Sequence, residues 1–209
     1  MSTKKEKSEQ YFDSIAGNYD NSRDGKFVKG MYQELIARIE AKKGRTESIL
    51  DLGCGNGNVT CMLAEKTDAK LYGLDLSSNM IKEAKKRIGD RAEFAIGDAE
   101  QLPYEAEQFD VVICNASFHH YPNPVKVLRE IKRVLKKDGM FILGDPTAPS
   151  LCLKILNWML KYMNSGDYHI YTKKEITKLL MQEGFRVSMW KMTDVNKFIV
   201  NAMPDKSII

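Results

Sequence analysis

The spacing of apolar residues predicts helices at the start of the chain. Residues 8–40 show helical periodicity in two pieces, with a break around 18–25. In the second piece Met31, Leu35 and Ile39 recur at positions that share one helix face. We therefore expect two helices in this region, the second of which presents an apolar face to the body of the protein.

After residue 47 the pattern changes to short apolar runs that alternate with helix-period segments. The runs predict seven strands, at 48–51, 70–75, 92–97, 109–114, 140–143, 185–192 and 198–203. Helices are predicted at 57–66, 80–88, 125–135 and 151–163, and after a capping box at Thr172–Glu175. This alternation predicts an α/β fold, a mostly parallel sheet with helices on both faces.

The first predicted strand leads into a glycine-rich turn. Asp51 lies at the end of the strand, and Gly53, Gly55 and Gly57 follow at alternate positions before a helix. Glycines in such a turn let a ligand lie against bare backbone. A dinucleotide-binding turn would place its third glycine at position 58, where this chain has Asn58. The turn therefore argues against a nicotinamide oxidoreductase, and the carboxylate before it favours a ligand with a cationic group.

Polar side chains also stand at the ends of the next predicted strands. Asp75 ends the second strand, Asp98 follows the third, Asn115 follows the fourth and Asp145 follows the fifth. Ligands of open α/β sheets bind beyond the carboxyl ends of the strands. Each residue taken alone could cap a helix or begin a turn. Their recurrence beside a glycine turn favours one ligand-binding edge of the sheet.

Composition and charge exclude several classes of protein. The 209 residues suffice for one α/β domain, and the net charge of +4 is too small to indicate nucleic acid by itself. The four cysteines form no C-x-x-C pair and no Cys/His cluster with zinc spacing, so the sequence predicts no metal site. The sequence shows no signal-peptide core and no apolar stretch near ~20 residues, so we expect a cytoplasmic protein without a membrane span.

These motifs together resemble a known family, the class I S-adenosylmethionine-dependent methyltransferases. The branch it resembles is methyltransferase type 11, which includes the ubiquinone and menaquinone biosynthesis methyltransferases. The resemblance extends from Tyr11 to about Met203, with Tyr11–Asp13 and Tyr19–Asp20 matching an N-terminal lid. The other matching motifs are LDLGCGNG at 50–57, GLDLS at 73–77, GDAEQLP at 97–103, FDVV at 109–112 and FHHYPNP at 118–124.

The resemblance implies a Rossmann-like, seven-stranded sheet whose last strand is antiparallel. It implies one domain over 1–209, with 1–30 as a lid and 146–171 as an insertion on the substrate side. The methyl donor would be S-adenosylmethionine and the product S-adenosylhomocysteine. Oligomeric state is left open.

The same resemblance assigns contacts with the cofactor. Asp75 would accept hydrogen bonds from both ribose hydroxyls, and Asp98 would accept one from the adenine amino group. Asp51 would lie near the ammonium group, while Met80 would either cover adenine or simply belong to the helix core. The full set of implied cofactor-binding residues is Tyr11, Tyr19, Asp51, Gly53, Gly55, Asn56, Asp75, Leu76, Met80, Asp98, Ala99 and Asn115.

The implied reaction is in-line displacement at the sulfonium methyl group. The cofactor carries the activation, so the protein chiefly supplies proximity, orientation and water exclusion. A general base helps if the acceptor is a hydroxyl or an acidic carbon. His120, in the loop after the fourth strand, is the first candidate, followed by His119 and His169, with Asp145 a weaker one. For each histidine a structural role in the loop is the alternative.

The acceptor is expected to be a small molecule. The stretch Asn115–Phe118 lacks the prolines found in enzymes that methylate base nitrogens, and no aromatic-basic stripe indicates RNA binding. RNA or protein acceptors and a non-catalytic cofactor-binding protein stay as alternatives. The helix at 151–163 is apolar apart from Lys154, Asn157 and Lys161, so it is core, a dimer surface or an apolar lid whose Trp158 contacts the acceptor.

Overall fold

A seven-stranded sheet forms the centre of the computed structural model, which describes residues 3–160, 162–163 and 166–206. The strands are β1 Ser48–Leu52, β2 Lys70–Asp75, β3 Ala92–Ile96, β4 Phe109–Asn115, β5 Leu135–Pro146, β6 Phe185–Asp194 and β7 Lys197–Pro204. Their order is β3-β2-β1-β4-β5-β7-β6, with β7 antiparallel to both of its neighbours and the other pairings parallel. The predicted Rossmann-like sheet with an antiparallel last strand is confirmed.

Helices cover both faces of the sheet. They are α1 Lys4–Ile15, α2 Arg23–Glu40, α3 Asn58–Ala64, α4 Ser78–Ile88, α5 Pro124–Val134, α6 Ser150–Leu160 and α7 Lys173–Gln182, with 3-10 turns at Ala16–Asn21, Gly89–Arg91 and Phe118–His120. The predicted capping box opens α7. There the Thr172 hydroxyl accepts from the Glu175 backbone N–H at 3.2 Å, and the Glu175 carboxylate accepts from the Thr172 N–H at 2.7 Å.

The central strands read as continuous apolar runs because both of their faces are buried. Along β4, Val111 and Ile113 belong to a core shared with α2 and α3. Val112 and Cys114, which alternate with them, belong to a core shared with α5 and α7. This alternation is the packing basis for helices on both faces of the sheet.

The order of the strands reverses at β1, which pairs in parallel with β2 on one side and β4 on the other. Connections leaving β1 and β4 therefore run to opposite sides of the sheet and open a crevice above their carboxyl ends. The glycine turn and Asp51 lie at this point.

Two boundaries differ from the sequence prediction. Helix α5 ends at Val134, and β5 begins directly at Leu135, which pairs with Phe109 before the register shifts. The strand predicted at 140–143 therefore begins earlier than expected, because strand pairing extends it back to Leu135. Among the described helices, we find none with the length and hydrophobicity needed to cross a membrane.

Candidate cofactor and acceptor site

The glycine turn adopts a backbone conformation that other residues rarely accept. Gly53, Gly55 and Gly57 have φ angles of 71°, 53° and 79°. A Cβ atom on Gly53 would lie 2.0 Å from the Ser117 Oγ atom, so a side chain there needs the loop after β4 to move. The Gly53 N–H donates to the Leu74 carbonyl at 2.8 Å and fixes the turn on β2. The turn is therefore held open as a backbone cradle.

Two carboxylates lie beside this cradle. Asp51 is buried and its Oδ2 accepts from the Thr60 hydroxyl at 2.7 Å. Burial raises the pKa of Asp51 to about 6, with the negative charge of Asp75 adding to the effect and the Thr60 hydrogen bond opposing it. Asp75 accepts from the Gly55 N–H at 2.8 Å and the Ser77 N–H at 2.9 Å, and burial raises its pKa against these bonds.

A cavity opens above the cradle. Eleven of the twelve residues predicted to bind the cofactor line it, together with His120. These eleven are Tyr19, Asp51, Gly53, Gly55, Asn56, Asp75, Leu76, Met80, Asp98, Ala99 and Asn115. Met80 is also buried, so its two predicted roles, core residue and cavity wall, coincide.

The predicted contact of Tyr11 does not match its position. Tyr11 is not among the described residues that line the cavity, and its hydroxyl donates to Asp24 Oδ2 at 2.7 Å. The next residue, Phe12, lines the cavity instead. Its ring packs edge-on against the rings of Tyr19, at 6.4 Å between centroids, and His120, at 5.2 Å. Phe12 and Tyr19 are thus the aromatic residues that the N-terminal segment places over the site.

The N-terminal segment is anchored to the start of α4. Asp13 Oδ1 accepts from the Ser77 hydroxyl at 2.5 Å and from the Asn79 N–H at 3.0 Å. The Asn79 amide in turn donates to the Asp13 carbonyl at 3.2 Å. An acidic side chain at a helix N-terminus is favourable because it meets free N–H groups and the positive end of the helix dipole.

A second anchor joins the segment to the glycine turn. Asp20 Oδ1 accepts from the side-chain amides of Asn56, at 3.0 Å, and Asn58, at 2.7 Å. Its other oxygen pairs with Arg87 at 2.9 Å. Burial favours a higher pKa for Asp20, but these hydrogen bonds outweigh it and hold the pKa at about 2. Asn58, the residue that replaces a dinucleotide-type glycine, therefore holds the N-terminal segment.

Lys5 is a cavity residue that sequence reasoning missed. Its ammonium group bonds to Asp98 Oδ2 and lies 3.9 Å from Glu100 Oε1. Asp98 Oδ1 also accepts from the Glu100 N–H at 3.0 Å. In this conformation the carboxylate predicted to meet adenine is already engaged by a lysine from α1. No local sequence motif indicates a role for Lys5, because its partner Asp98 is 93 residues away in the chain.

Two histidines and two carboxylates meet at the other end of the cavity. His119 Nδ1 lies 2.8 Å from Asp145 Oδ1, and His119 Nε2 lies 3.4 Å from Asp167 Oδ1. His120 Nδ1 lies 3.3 Å from the same Asp167 oxygen. Burial lowers the pKa of His119, but Asp145 and Asp167 outweigh it and raise the pKa overall. Burial and the neighbouring His119 lower the pKa of His120.

The remaining histidine belongs to a different group. His169 Nε2 lies 3.5 Å from Glu175 Oε1, near the start of α7.

The Asn157 side chain, predicted to be part of a polar stripe, exchanges hydrogen bonds of 2.9 Å with the backbone of Ile170. Helix α6 thereby positions the 166–171 segment.

Most of α6 does not face the cavity. Leu153 and Leu160 pack inward, whereas Ile155 is 59% and Trp158 60% exposed. Trp158 is not among the described cavity-lining residues and packs against Tyr162 at 5.5 Å between ring centroids. The expectation that Trp158 covers the acceptor therefore finds no contact in this conformation. Lys161, the third residue of the predicted stripe, lies outside the described residues.

The fold and the site together define a class of enzyme. The strand order, the glycine cradle at the switch point and carboxylates at the ends of β1 and β2 are those of an S-adenosylmethionine-dependent methyltransferase. A profile described as a methyltransferase domain matches residues 50–143.

Comparison with known proteins identifies the family. The chain is 32% identical over 206 residues to a demethylmenaquinone methyltransferase of Thermotoga maritima, covering 85% of this chain and 87% of that protein. It is 30% identical over 213 residues to a protein of the same name from Oceanobacillus iheyensis, covering 88% and 89%. Magnesium protoporphyrin IX methyltransferase from Synechocystis, solved with bound S-adenosylhomocysteine, shares the fold with a TM-score of 0.77 at 22% identity, covering 97% of this chain and 100% of that one. The chain belongs to the type 11 family of S-adenosylmethionine-dependent methyltransferases, and its methyl donor is S-adenosylmethionine.

Proposed function

We propose that this enzyme methylates a small apolar acceptor, and that a demethylated menaquinone in its reduced form is the first acceptor to test. The observation that carries the proposal is that three aromatic side chains, Phe12, Tyr19 and Tyr121, line the cavity. Flat apolar molecules pack well against aromatic rings. Two relatives that align over most of their length are named demethylmenaquinone methyltransferases, which supports the same choice.

Four polar residues that line the cavity would make the proposed cofactor contacts. The raised pKa of Asp51 reflects a buried carboxylate, which the cofactor's ammonium group would stabilise in its ionised form. Asn115 Oδ1 is buried with no hydrogen-bond partner among the described residues, so it suits an N–H donor from the cofactor's amino-acid end. Asp75 keeps further lone pairs for the ribose hydroxyls, and Asp98 accepts from the adenine amino group once Lys5 moves aside.

The cofactor supplies an electrophilic methyl group, and the chain supplies its placement. Gly53 and Gly55 let the donor lie against backbone, which fixes the direction in which the methyl group points. Phe12 and Tyr19 exclude water from the reacting atoms. We assign 1–30 as the lid and 146–171 as the acceptor-side insertion of one domain. Lys4 supports this division, because its ammonium group donates to the Leu160 and Asp167 carbonyls and so joins the two segments.

His120 is our candidate for the general base, the group that takes a proton from the molecule to be methylated. It lines the cavity beside Phe12, whereas His119 is held by Asp145 and His169 by Glu175. A base at this place matters only for a hydroxyl or an acidic carbon acceptor.

The shape of the cavity and the state of the cysteines bear on the partner and on the location of the protein. A concave cavity lined by aromatic rings and a few polar groups favours a small molecule over nucleic acid as the partner. A reducing compartment such as the cytoplasm is supported by the four cysteines, all of which are free thiols.

A defined acceptor tests the proposal. The purified chain is incubated with S-adenosylmethionine and a short-chain reduced demethylmenaquinone, and the products are separated by liquid chromatography and mass spectrometry. We expect one methyl group gained per S-adenosylhomocysteine formed, and no product with Asp75→Asn. Tight cofactor binding without methylation of this acceptor or of related hydroxylated aromatic rings would contradict the proposed acceptor class.

A further inference from the structure

We propose that His119, His120 and Asp167 form a binding site for a divalent transition-metal ion, best suited to zinc, at the acceptor end of the cavity. One ligand atom from each of these residues lies within 4.8 Å of the other two. The site goes beyond the methyltransferase activity, since neither the family nor the sequence motifs call for a metal.

The separations between the ligand atoms fit a tetrahedral ion. His119 Nε2 and His120 Nδ1 lie 3.4 Å and 3.3 Å from Asp167 Oδ1. Tetrahedral zinc with bonds of about 2.0–2.1 Å holds its ligand atoms about 3.3–3.4 Å apart. Octahedral coordination at the same bond length would bring adjacent ligands to about 3.0 Å. The observed spacing therefore favours a tetrahedral ion over magnesium.

A buried nitrogen without a hydrogen bond points into the same place. His120 Nδ1 is fully buried and has no hydrogen-bond partner among the described residues, although Asp167 lies close. A buried polar atom of this kind usually bonds to a water molecule or an ion. A metal at this position would bond to the lone pair on Nδ1 directly.

The second sphere of the site is also in place. Asp145 Oδ1 accepts from His119 Nδ1 at 2.8 Å, which leaves the Nε2 lone pair directed at Asp167. Histidine ligands of metals commonly donate their other nitrogen to a carboxylate in this way, which fixes the ring and raises its basicity. Asp145 is fully buried at the end of β5, so the ring is held by the sheet itself.

Backbone contacts hold the two contributing segments together. The N–H groups of Tyr168 and His169 both donate to the His119 carbonyl, at 2.8 Å and 3.0 Å. Asp167 therefore stands directly beside the 3-10 turn that carries both histidines. Because the segments are already joined, the ion would bind without a large rearrangement.

A donor set of two imidazoles and one carboxylate leaves one tetrahedral position for water or for an oxygen of the acceptor. A metal on Nδ1 of His120 keeps the proton on Nε2, so in the loaded protein His120 is a ligand and not a proton acceptor. An ion held by His119, His120 and Asp167 would supply Lewis acidity there, which would lower the pKa of a hydroxyl group on a bound acceptor.

The competing arrangement contains no metal. A protonated His119 bridging Asp145 and Asp167 accounts for the same two contacts, and it predicts that a cation is repelled from the cluster. The two arrangements differ in whether Asp167 and His120 determine metal affinity.

Cobalt substitution distinguishes them without any acceptor. The full chain is freed of metal with a chelator and titrated with Co²⁺, and the visible absorption is recorded. We expect one equivalent to bind with the intense bands of a tetrahedral site, and zinc to displace it. Asp167→Asn and His120→Gln should each weaken binding at least tenfold. His169→Gln, a histidine outside the cluster, is the matched control and should bind as wild type.

Thermal melting provides the second readout, and circular dichroism with cofactor binding shows that each variant is folded. Zinc at 100 times its dissociation constant should raise the melting temperature of wild type and His169→Gln by about 5–10 °C. The same zinc concentration should raise that of Asp167→Asn by at most about half as much. Equal affinity in wild type and folded Asp167→Asn, or the absence of stoichiometric binding to wild type, would overturn the metal site and leave the proposed methyl transfer untouched.

Discussion

Replacing Asp51 with asparagine should stabilise the cofactor-free protein while weakening its binding of the cofactor. Asparagine keeps an oxygen that can accept the Thr60 hydrogen bond but removes the buried charge. Burial raises the pKa of Asp51 from 3.8 to about 6, a difference of roughly two pH units, or about 3 kcal/mol. This is an upper limit, because the new amide N–H groups also need partners.

The direction of this pH dependence of stability follows from the state in which Asp51 binds its proton more tightly. A carboxyl group with a raised native pKa is protonated more readily in the folded state, so stability falls as pH rises from about 4 to 6. Above that range the whole penalty is present in wild type and absent in Asp51→Asn. We expect the variant to be more stable by up to about 3 kcal/mol at pH 8, and by about half as much at pH 5.

Urea unfolding at the two pH values measures this difference, and calorimetry with S-adenosylhomocysteine measures the loss of function. Losing a charged hydrogen bond to the ammonium group should weaken binding about 10- to 100-fold. A variant that is less stable than wild type at pH 8, or that binds the cofactor product equally well, would refute the role assigned to Asp51.

Three further substitutions test the cradle and the N-terminal segment. Gly53→Ala should lower the free energy of unfolding by about 2 to 4 kcal/mol in thermal melts, because of its left-handed backbone and the clash of the added Cβ atom. The control Gly17→Ala, which has open space around it, should melt as wild type. Equal melting of the two variants would contradict this prediction. Lys5→Met should free the carboxylate of Asp98 and tighten S-adenosylhomocysteine binding up to about fivefold by calorimetry, while weaker binding would show that the lysine helps to hold the ligand. Asp20→Asn should lower the free energy of unfolding in urea by about 1 kcal/mol or less and should speed proteolytic cleavage within residues 1–30. Unchanged cleavage would exclude the anchoring role of Asp20.

The sheet and the cradle could be predicted because their signals are local. A buried parallel strand is a continuous apolar run, and a backbone cradle needs closely spaced glycines, so LDLGCGNG at 50–57 carries both. The positions of Asp51 and Asp75 at the cavity follow from strand ends that share one edge of the sheet. These features depend on a few neighbouring positions, which is why they can be predicted from one sequence.

The rotation of α1, which places Phe12 and not Tyr11 at the cavity of this structure, could not be predicted. Adjacent residues of a helix point about 100° apart, so a rotation of that size decides whether Tyr11 or Phe12 faces the cavity. Only Ser8 is buried in α1, which leaves the helix without an apolar stripe to fix its orientation. Polar contacts with distant residues, such as Lys5 with Asp98, set the rotation instead.

The histidine cluster was missed because its members are far apart in the chain. Zinc motifs are found by short spacings, and His120 and Asp167 are joined only when the 166–171 segment folds back onto the turn after β4. The sequence left open whether α6 is core, a dimer surface or a lid, since a nearly uniform apolar pattern does not say which side faces the protein.

The most direct test of methyl transfer to a small apolar acceptor follows a labelled methyl group. The chain is incubated with methyl-labelled S-adenosylmethionine and a whole-cell extract, which is then divided into organic-soluble, protein and nucleic-acid fractions. We expect the label in the organic-soluble fraction, and we expect it to be absent with the variant Asp75→Asn. Label confined to the protein or nucleic-acid fraction would contradict it.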